Sequence, residues 1–278
     1  MIVSHDIHIH TSLSRCGRSD ALLENYIEKA DTLGLKLIGI SDHMWDDTVS
    51  GWETIYEGEN RTVPFYEGQN VPHVLRTKDE ISSIKTKGIK ILSGAEVEYD
   101  YSRHNLAITE ENARKFDYII FPNSHTHMVM PKDFYADKRK HIEFMYDAFM
   151  DVMDSPLRKY VVAMAHPFCA VMCPYGFEEM LGMITDEEYR RCYGACAENG
   201  IAVEINLSKF RGMNTKEILT CNNIRQFRIA KECGCKFTFG SDSHTMSHLD
   251  SFRDFYVVSG VLNLSVEDLS PFVRQYLE

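Results

Sequence analysis

The segment Asp6-Ile7-His8-Ile9-His10 sets two histidines two positions apart at the end of an apolar-led stretch. Side chains on a strand alternate with period two, so His8 and His10 share one face. Two imidazoles on one rigid strand are half of a metal cage. Further donors stand at Asp42-His43, Glu96, His125, His166 and Asp242-Ser243-His244, each just after a short β-like run. Six of the twelve histidines (His8, His10, His43, His125, His166 and His244) therefore follow strand-like segments, and Glu96 and Asp242 share that placement. A mixed nitrogen and oxygen set suits zinc, manganese or iron rather than calcium or magnesium alone. It exceeds what one tetrahedral ion uses and suffices for two or three ions with a bridging carboxylate. Two ions about 3.5–4 Å apart polarise a phosphoryl oxygen and generate hydroxide near neutral pH. A lone H-x-H or D-x-H says little. The recurrence of these residue types after strand upon strand is the signal, because unpaired polar groups gathered by chance would be desolvated without compensation.

The elements that must deliver these groups alternate along the chain. Apolar, β-prone runs over 3–10, 35–40, 89–95, 117–121, 160–165, 201–205 and 236–239 read as seven strands. Helical patterns fill 19–33, 77–87, 139–153 and 185–199, the stretch up to Glu232, and a closing segment over 265–277. Thr185 and Glu188 form a capping-box pattern, and Gly200 is a stop. Continuous apolar strands imply burial on both faces, hence a parallel sheet. Closed barrels and open doubly wound sheets both place their sites at the carboxyl ends of such strands. No glycine-rich nucleotide fingerprint follows a strand, which counts against a dinucleotide fold. Two long connections, 44–76 with Trp45, Trp52, Tyr56, Phe65 and Tyr66, and 167–184 with Phe168, Tyr175 and Phe177, read either as ordered lids or as cover for the wall.

With 278 residues, 44% hydrophobic and 26% charged, the chain is expected to be a single domain over 1–278. Its net charge of −11 disfavours duplex nucleic acid as a partner. An anionic substrate stays open, because bound cations reverse the local field. No apolar run approaches the ~20 residues of a membrane helix, and no basic-then-apolar leader is seen. The eight cysteines form no C-x-x-C pair and suggest mostly free thiols in a reducing cytoplasm.

Taken in order, Asp6-Ile7-His8-Ile9-His10-Thr11, Ser41-Asp42-His43, Gly94-Ala95-Glu96, Ser124-His125, Ala165-His166-Pro167, Glu204-Ile205-Asn206 and Gly240-Ser241-Asp242-Ser243-His244 resemble the motifs of the PHP (polymerase and histidinol phosphatase) family over nearly the whole chain. The resemblance implies an α/β fold, a distorted seven-stranded (β/α)7 TIM-like barrel with a trinuclear site at the carboxyl ends of its strands. It also implies a metal-dependent phosphoesterase acting on a small phosphorylated metabolite through metal-bound hydroxide. Carried over by position, one ion falls to His8, His10, Glu96 and Asp242, a second to Glu96, His125 and His166, and a third to His43, His244 and Cys16, a position where relatives often carry histidine or an acid. Glu96 and Asp242 are then the catalytic carboxylates. His127 is a candidate leaving-group acid, and Arg18 and Lys209 are candidate phosphate ligands. Histidinol phosphate is one candidate substrate. An exonuclease-type phosphodiesterase and a non-catalytic metal-binding protein are the alternatives.

Overall fold

The computed structural model describes residues 4–49, 65–170 and 172–277. Seven parallel strands follow one another in chain order: β1 (His5–Ile9), β2 (Leu37–Ile40), β3 (Lys90–Val97), β4 (Tyr118–Pro122), β5 (Val161–Ala165), β6 (Ala202–Asn206) and β7 (Phe237–Gly240). A two-residue strand, His43–Met44, runs on beyond β2 and pairs with β3. The ring closes between β7 and β1 only at their carboxyl ends. There Asp242 N–H donates to His8 O at 2.9 Å, His10 N–H donates to Ser243 O at 2.8 Å, and Ile9 bridges Ser243 in parallel. The result is the distorted, nearly closed (β/α)7 barrel expected from the sequence.

Helices pack outside: α1 (Leu23–Leu33), α2 (Arg76–Ser83), α3 (Lys138–Asp154), α4 (Asp186–Asn199) and α5 (Asn222–Glu232). The capping box of Thr185 and Glu188 forms at the start of α4, and Gly200 ends it in the left-handed conformation (φ 69°). Helix α1 starts four residues later than its apolar pattern suggests. Asp20, a suitable cap, instead accepts from Thr245 Oγ1 and Met246 N–H, tying the α1 approach to the loop after β7. The closing segment is not one helix. Pro271, which has no N–H to donate, opens a fresh turn over Pro271–Arg274, after a short 3-10 turn over Val266–Asp268 capped by Ser265.

Period two sorts every strand into an outer and an inner face. On β3, Ile91 and Ala95 join the large core beneath the helices, whereas Leu92 joins a small inner cluster with Leu37, Tyr118, Ala163, Ala202 and Val273. Residues of the same parity then climb the inner face as Leu92, Gly94, Glu96 and Glu98. Gly94 is required there, since a Cβ would stand 2.3 Å from Cζ of Tyr118, whose hydroxyl crosses the interior to donate to Ile7 O at 2.8 Å. Apolar floor and polar mouth are thus two ends of one alternation.

Of the connection 44–76, Trp52 and Tyr56 lie outside the described residues. Phe65 stands edge-on to His43 with 5.5 Å between centroids, and Tyr66 packs on Trp45. In the second connection Phe168 stacks on Phe149, and Tyr175 donates to Ala136 O. All eight cysteines are free thiols. Among the described residues no helix is long and apolar enough to cross a membrane.

One buried histidine gives the barrel a pH response. His5 Nε2 accepts Phe239 N–H at 3.0 Å, and burial pushes the imidazole down to about 3. The folded chain keeps His5 neutral, while the unfolded chain protonates it near pH 6.5. Between those values the unfolded state binds more protons, so acidification destabilises the fold, by about 1.4 kcal/mol per pH unit at most. In urea unfolding of the metal-free protein, His5→Gln should flatten the stability profile between pH 6.5 and 4 relative to the native chain. Parallel profiles would contradict a neutral buried His5.

Candidate metal centre

The barrel mouth gathers its polar groups by the same alternation. His8 lies on β1 and His10 just past it; Glu96 lies on β3, in register with His43. His125, His166, Asp242 and His244 follow β4, β5 and β7 by a few residues. Two of these turns carry strain: His166 has φ 27° and Asp242 φ 53°. A non-glycine residue is held there only by its surroundings, as is common where a side chain must be aimed.

Glu96 is the hub. It is 0% exposed, and neither carboxylate oxygen makes a hydrogen bond. Imidazole nitrogens ring it: Oε1 lies 3.2 Å from His166 Nε2, 3.5 Å from His8 Nε2 and 3.7 Å from His125 Nε2, and Oε2 lies 2.8 Å from His43 Nδ1 and 3.5 Å from His10 Nε2. Asp242 Oδ1 stands 3.4 Å from His10 Nε2 and 3.8 Å from His8 Nε2. Among the described residues there are four groups whose donor atoms lie within 4.8 Å of one another: His8, His10 and Asp242; His8, Glu96 and His166; His43, Glu96, Glu98 and His125; and His10, His43 and His244. Burial alone would raise the Glu96 carboxyl, but His125, His8 and His43 hold it well below the usual carboxylate range.

A second ring of contacts fixes how these groups point. His8 Nδ1 donates to Glu204 Oε1 at 2.7 Å, leaving Nε2 for the cluster. Glu204 Oε2 accepts His166 N–H at 2.6 Å. His125 Nδ1 donates to both oxygens of Glu98, at 2.9 and 3.1 Å. Ser124 Oγ hydrogen-bonds His166 Nδ1 at 2.7 Å, and His244 Nδ1 donates to Asp242 O at 2.9 Å. Burial opposes ionisation of Glu98, yet the charge of His125 brings it down to about 2. Such outer partners set tautomer and ring orientation at metal sites. Gly240 makes room for one of them: a Cβ there would lie 1.8 Å from Glu204 Oε1 and 2.6 Å from the His8 Cβ.

The expected ligands therefore converge at one mouth. Cys16 lies outside the four donor groups but close to two of their members: burial would raise its thiol, yet the charge of His43 and the nearness of His244 bring it down to about 6. Lys209 Nζ lies 3.0 Å from Asp242 Oδ2, so its charge is committed to a donor of the cluster. Arg18 is exposed, and its backbone N–H donates to His244 O at 2.8 Å. His127 is half-buried beside His125, 5.7 Å between ring centroids, and lies outside the four donor groups. Glu98 and Glu204 were not assigned roles from the sequence. The signal was present, since each shares parity with an inner-face neighbour, Glu98 with Glu96 and Glu204 with Ala202.

The PHP domain model matches residues 6–208. The chain belongs to the PHP domain family. The metal-dependent phosphoesterase class expected from the sequence stands with that membership. Among solved structures, the fold is similar to a histidinol phosphate phosphatase from Lactococcus lactis subsp. lactis Il1403, complexed with zinc, L-histidinol and phosphate, at TM-score 0.65 and 18% identity over 94% of each chain. It is also similar to a putative histidinol phosphatase from Listeria monocytogenes, at TM-score 0.66 and 16% identity over 91% of this chain and 100% of that one. At such identities these likenesses establish the barrel. No curated protein matches the chain by sequence.

Glu204→Gln and Glu98→Gln keep size and remove the charge that orients His8 and His125. Each should weaken zinc binding by roughly 10–100-fold in competition with a chromogenic chelator, while the fold is retained. Unchanged affinity in both would contradict their orienting role. Gly240→Ala should cost about 1–3 kcal/mol of stability in urea, as an overpacked interior does.

Proposed function

We propose that this PHP domain protein hydrolyses a small phosphate monoester with two or three divalent ions held at the barrel mouth. The carrying observation is Glu96: a buried carboxylate with no hydrogen bond on either oxygen, encircled by five imidazoles. A buried charge with no donor is costly, and divalent cations between these groups would satisfy both carboxylate and rings. The residues present thus fit the ions the family implies. His8, His10, Glu96 and Asp242 would hold one, Glu96, His125 and His166 a second, and His43, His244 and Cys16 a third.

Bound there, divalent ions supply Lewis-acid stabilisation of a phosphoryl oxygen and lower the pKa of water toward neutrality. The chain's own groups do the rest. Glu96, shared by two of the donor groups, would serve both ions. Asp242 is held by Lys209 on Oδ2, so that Oδ1 is the oxygen presented to His8 and His10. Lys209, beside Asp242, and exposed Arg18 are the candidates for the outer oxygens of a phosphate at the mouth. His127, half-buried next to His125, is the candidate proton donor to the leaving oxygen. Zinc, manganese and iron all suit these donors. Histidinol phosphate is one candidate substrate, in line with the printed activity of the similar structures.

The test is turnover of an aryl phosphate monoester and the matching diester, with zinc or manganese supplied and with a chelated control. The monoester should be cleaved preferentially, chelation should abolish turnover, and Glu96→Gln should lower kcat/KM by on the order of a hundredfold or more. Preferential cleavage of the diester would favour the exonuclease-type alternative. Equal, chelator-insensitive rates for native and Glu96→Gln protein would refute the proposal.

A further inference from the structure

His8, His125, His166 and His244 are each oriented by a contact on Nδ1. The turn that follows β1 offers His10 a contact of the same kind. Ser14 Oγ lies 3.5 Å from His10 Nδ1. The same hydroxyl donates to Asp42 Oδ1 at 2.7 Å and accepts the His43 N–H at 3.1 Å. Asp42 also accepts the Thr11 N–H at 2.7 Å and the Thr11 hydroxyl at 2.8 Å. All three partners of Asp42 are donors, so it accepts as a carboxylate. Asp42, Ser14 and His10 are all buried, and water does not compete for these bonds.

A serine hydroxyl has one proton to give and two lone pairs that receive. The carboxylate is the nearer and stronger acceptor, so it takes the Ser14 proton. Toward His43 N–H and His10 Nδ1 the Ser14 oxygen can then only accept. His10 meets it by carrying its own proton on Nδ1. Its Nε2 is left free of a proton where the mouth converges, 3.4 Å from Asp242 Oδ1 and 3.5 Å from Glu96 Oε2. The hydrogen bond on one ring nitrogen decides which nitrogen remains for a metal.

We propose that Ser14, its hydroxyl held by Asp42, is a positioning residue that fixes the His10 tautomer and presents Nε2 to the ions. The consequence for metal rests on the metal reading above; the chain of hydrogen bonds does not. The competing account is that Asp42 merely pins the turn from Thr11 to Ser14. Ser14→Ala separates the two, because it spares both Thr11 bonds to Asp42 and the Ser14 N–H bond to Thr11 O.

The test uses the full-length metal-free chain with isotope-labelled histidine rings, His10 being assigned by its absence in His10→Gln. Long-range proton–nitrogen correlations should show the His10 proton on Nδ1 at a hydrogen-bonded shift. In Ser14→Ala that proton should lose this shift and exchange faster with water, and Ser14→Thr, which keeps the hydroxyl, should restore both. In competition with a chromogenic chelator, Ser14→Ala should bind zinc roughly 10–100-fold more weakly than the native chain, with Ser14→Thr recovering most of the loss. A native His10 protonated on Nε2, or a Ser14→Ala variant unchanged in the Nδ1 signal or in zinc affinity, would overturn the Ser14 proposal and leave the metal reading standing. A native chain with the Nδ1 tautomer but no zinc uptake would refute the metal reading and, with it, the purpose assigned to Ser14.

Discussion

Burying a carboxylate without well-formed hydrogen bonds costs free energy, and Glu96 is buried so on both oxygens, ringed by imidazole nitrogens at 2.8 to 3.7 Å. Protonation is one escape, but the surrounding imidazoles hold Glu96 ionised. Those imidazoles are themselves crowded, with His8 Nε2 only 3.0 Å from His10 Nε2. So many ligand atoms converging with few protons to share is a poor arrangement for a protein alone. It becomes a good one when cations supply the missing positive charge.

The rest of the barrel can be read as the means of holding that arrangement. The seven strands bring together residues separated by nearly two hundred positions, such as His8 and Glu204 in the fold's shortest carboxylate–imidazole contact at the mouth. The apolar floor of Leu37, Leu92, Tyr118, Ala163 and Ala202 excludes water from below, which strengthens every interaction above it. The strained backbone at His166 and Asp242 is held by closely packed neighbours: Glu204 takes the His166 N–H, and His8 O takes the Asp242 N–H. Strain, close approach at Gly240 and buried charge are concentrated in one region, as expected where geometry serves chemistry rather than stability.

Much of this was legible in the sequence, for physical reasons. Strand alternation placed His8 with His10, and the position of Glu96, His166 and Asp242 after apolar runs placed them at one end of a parallel sheet. Family motifs supplied the closed barrel that alternation alone left open. What was missed lay in contacts whose partners are distant. Glu204 sits on β6 with its parity visible, but nothing local says that its target is His8. Glu98 could have been read from its spacing to Glu96. The closing segment was misjudged because its apolar spacing was given more weight than Pro271, which breaks the backbone ladder. Asp20, just before α1, is claimed by a loop over two hundred residues away, a contact with no local signal.

The direct test of the account is calorimetric titration of the metal-free chain with zinc, with the thermal midpoint followed in parallel. The account predicts uptake of at least two ions per chain and a large rise in Tm as they bind, because the folded mouth holds them and the unfolded chain does not. It also predicts that Glu96→Ala diminishes zinc uptake and with it the rise in Tm. Sub-stoichiometric uptake with an unmoved midpoint, or a Glu96→Ala variant that binds zinc as the native chain does, would contradict it.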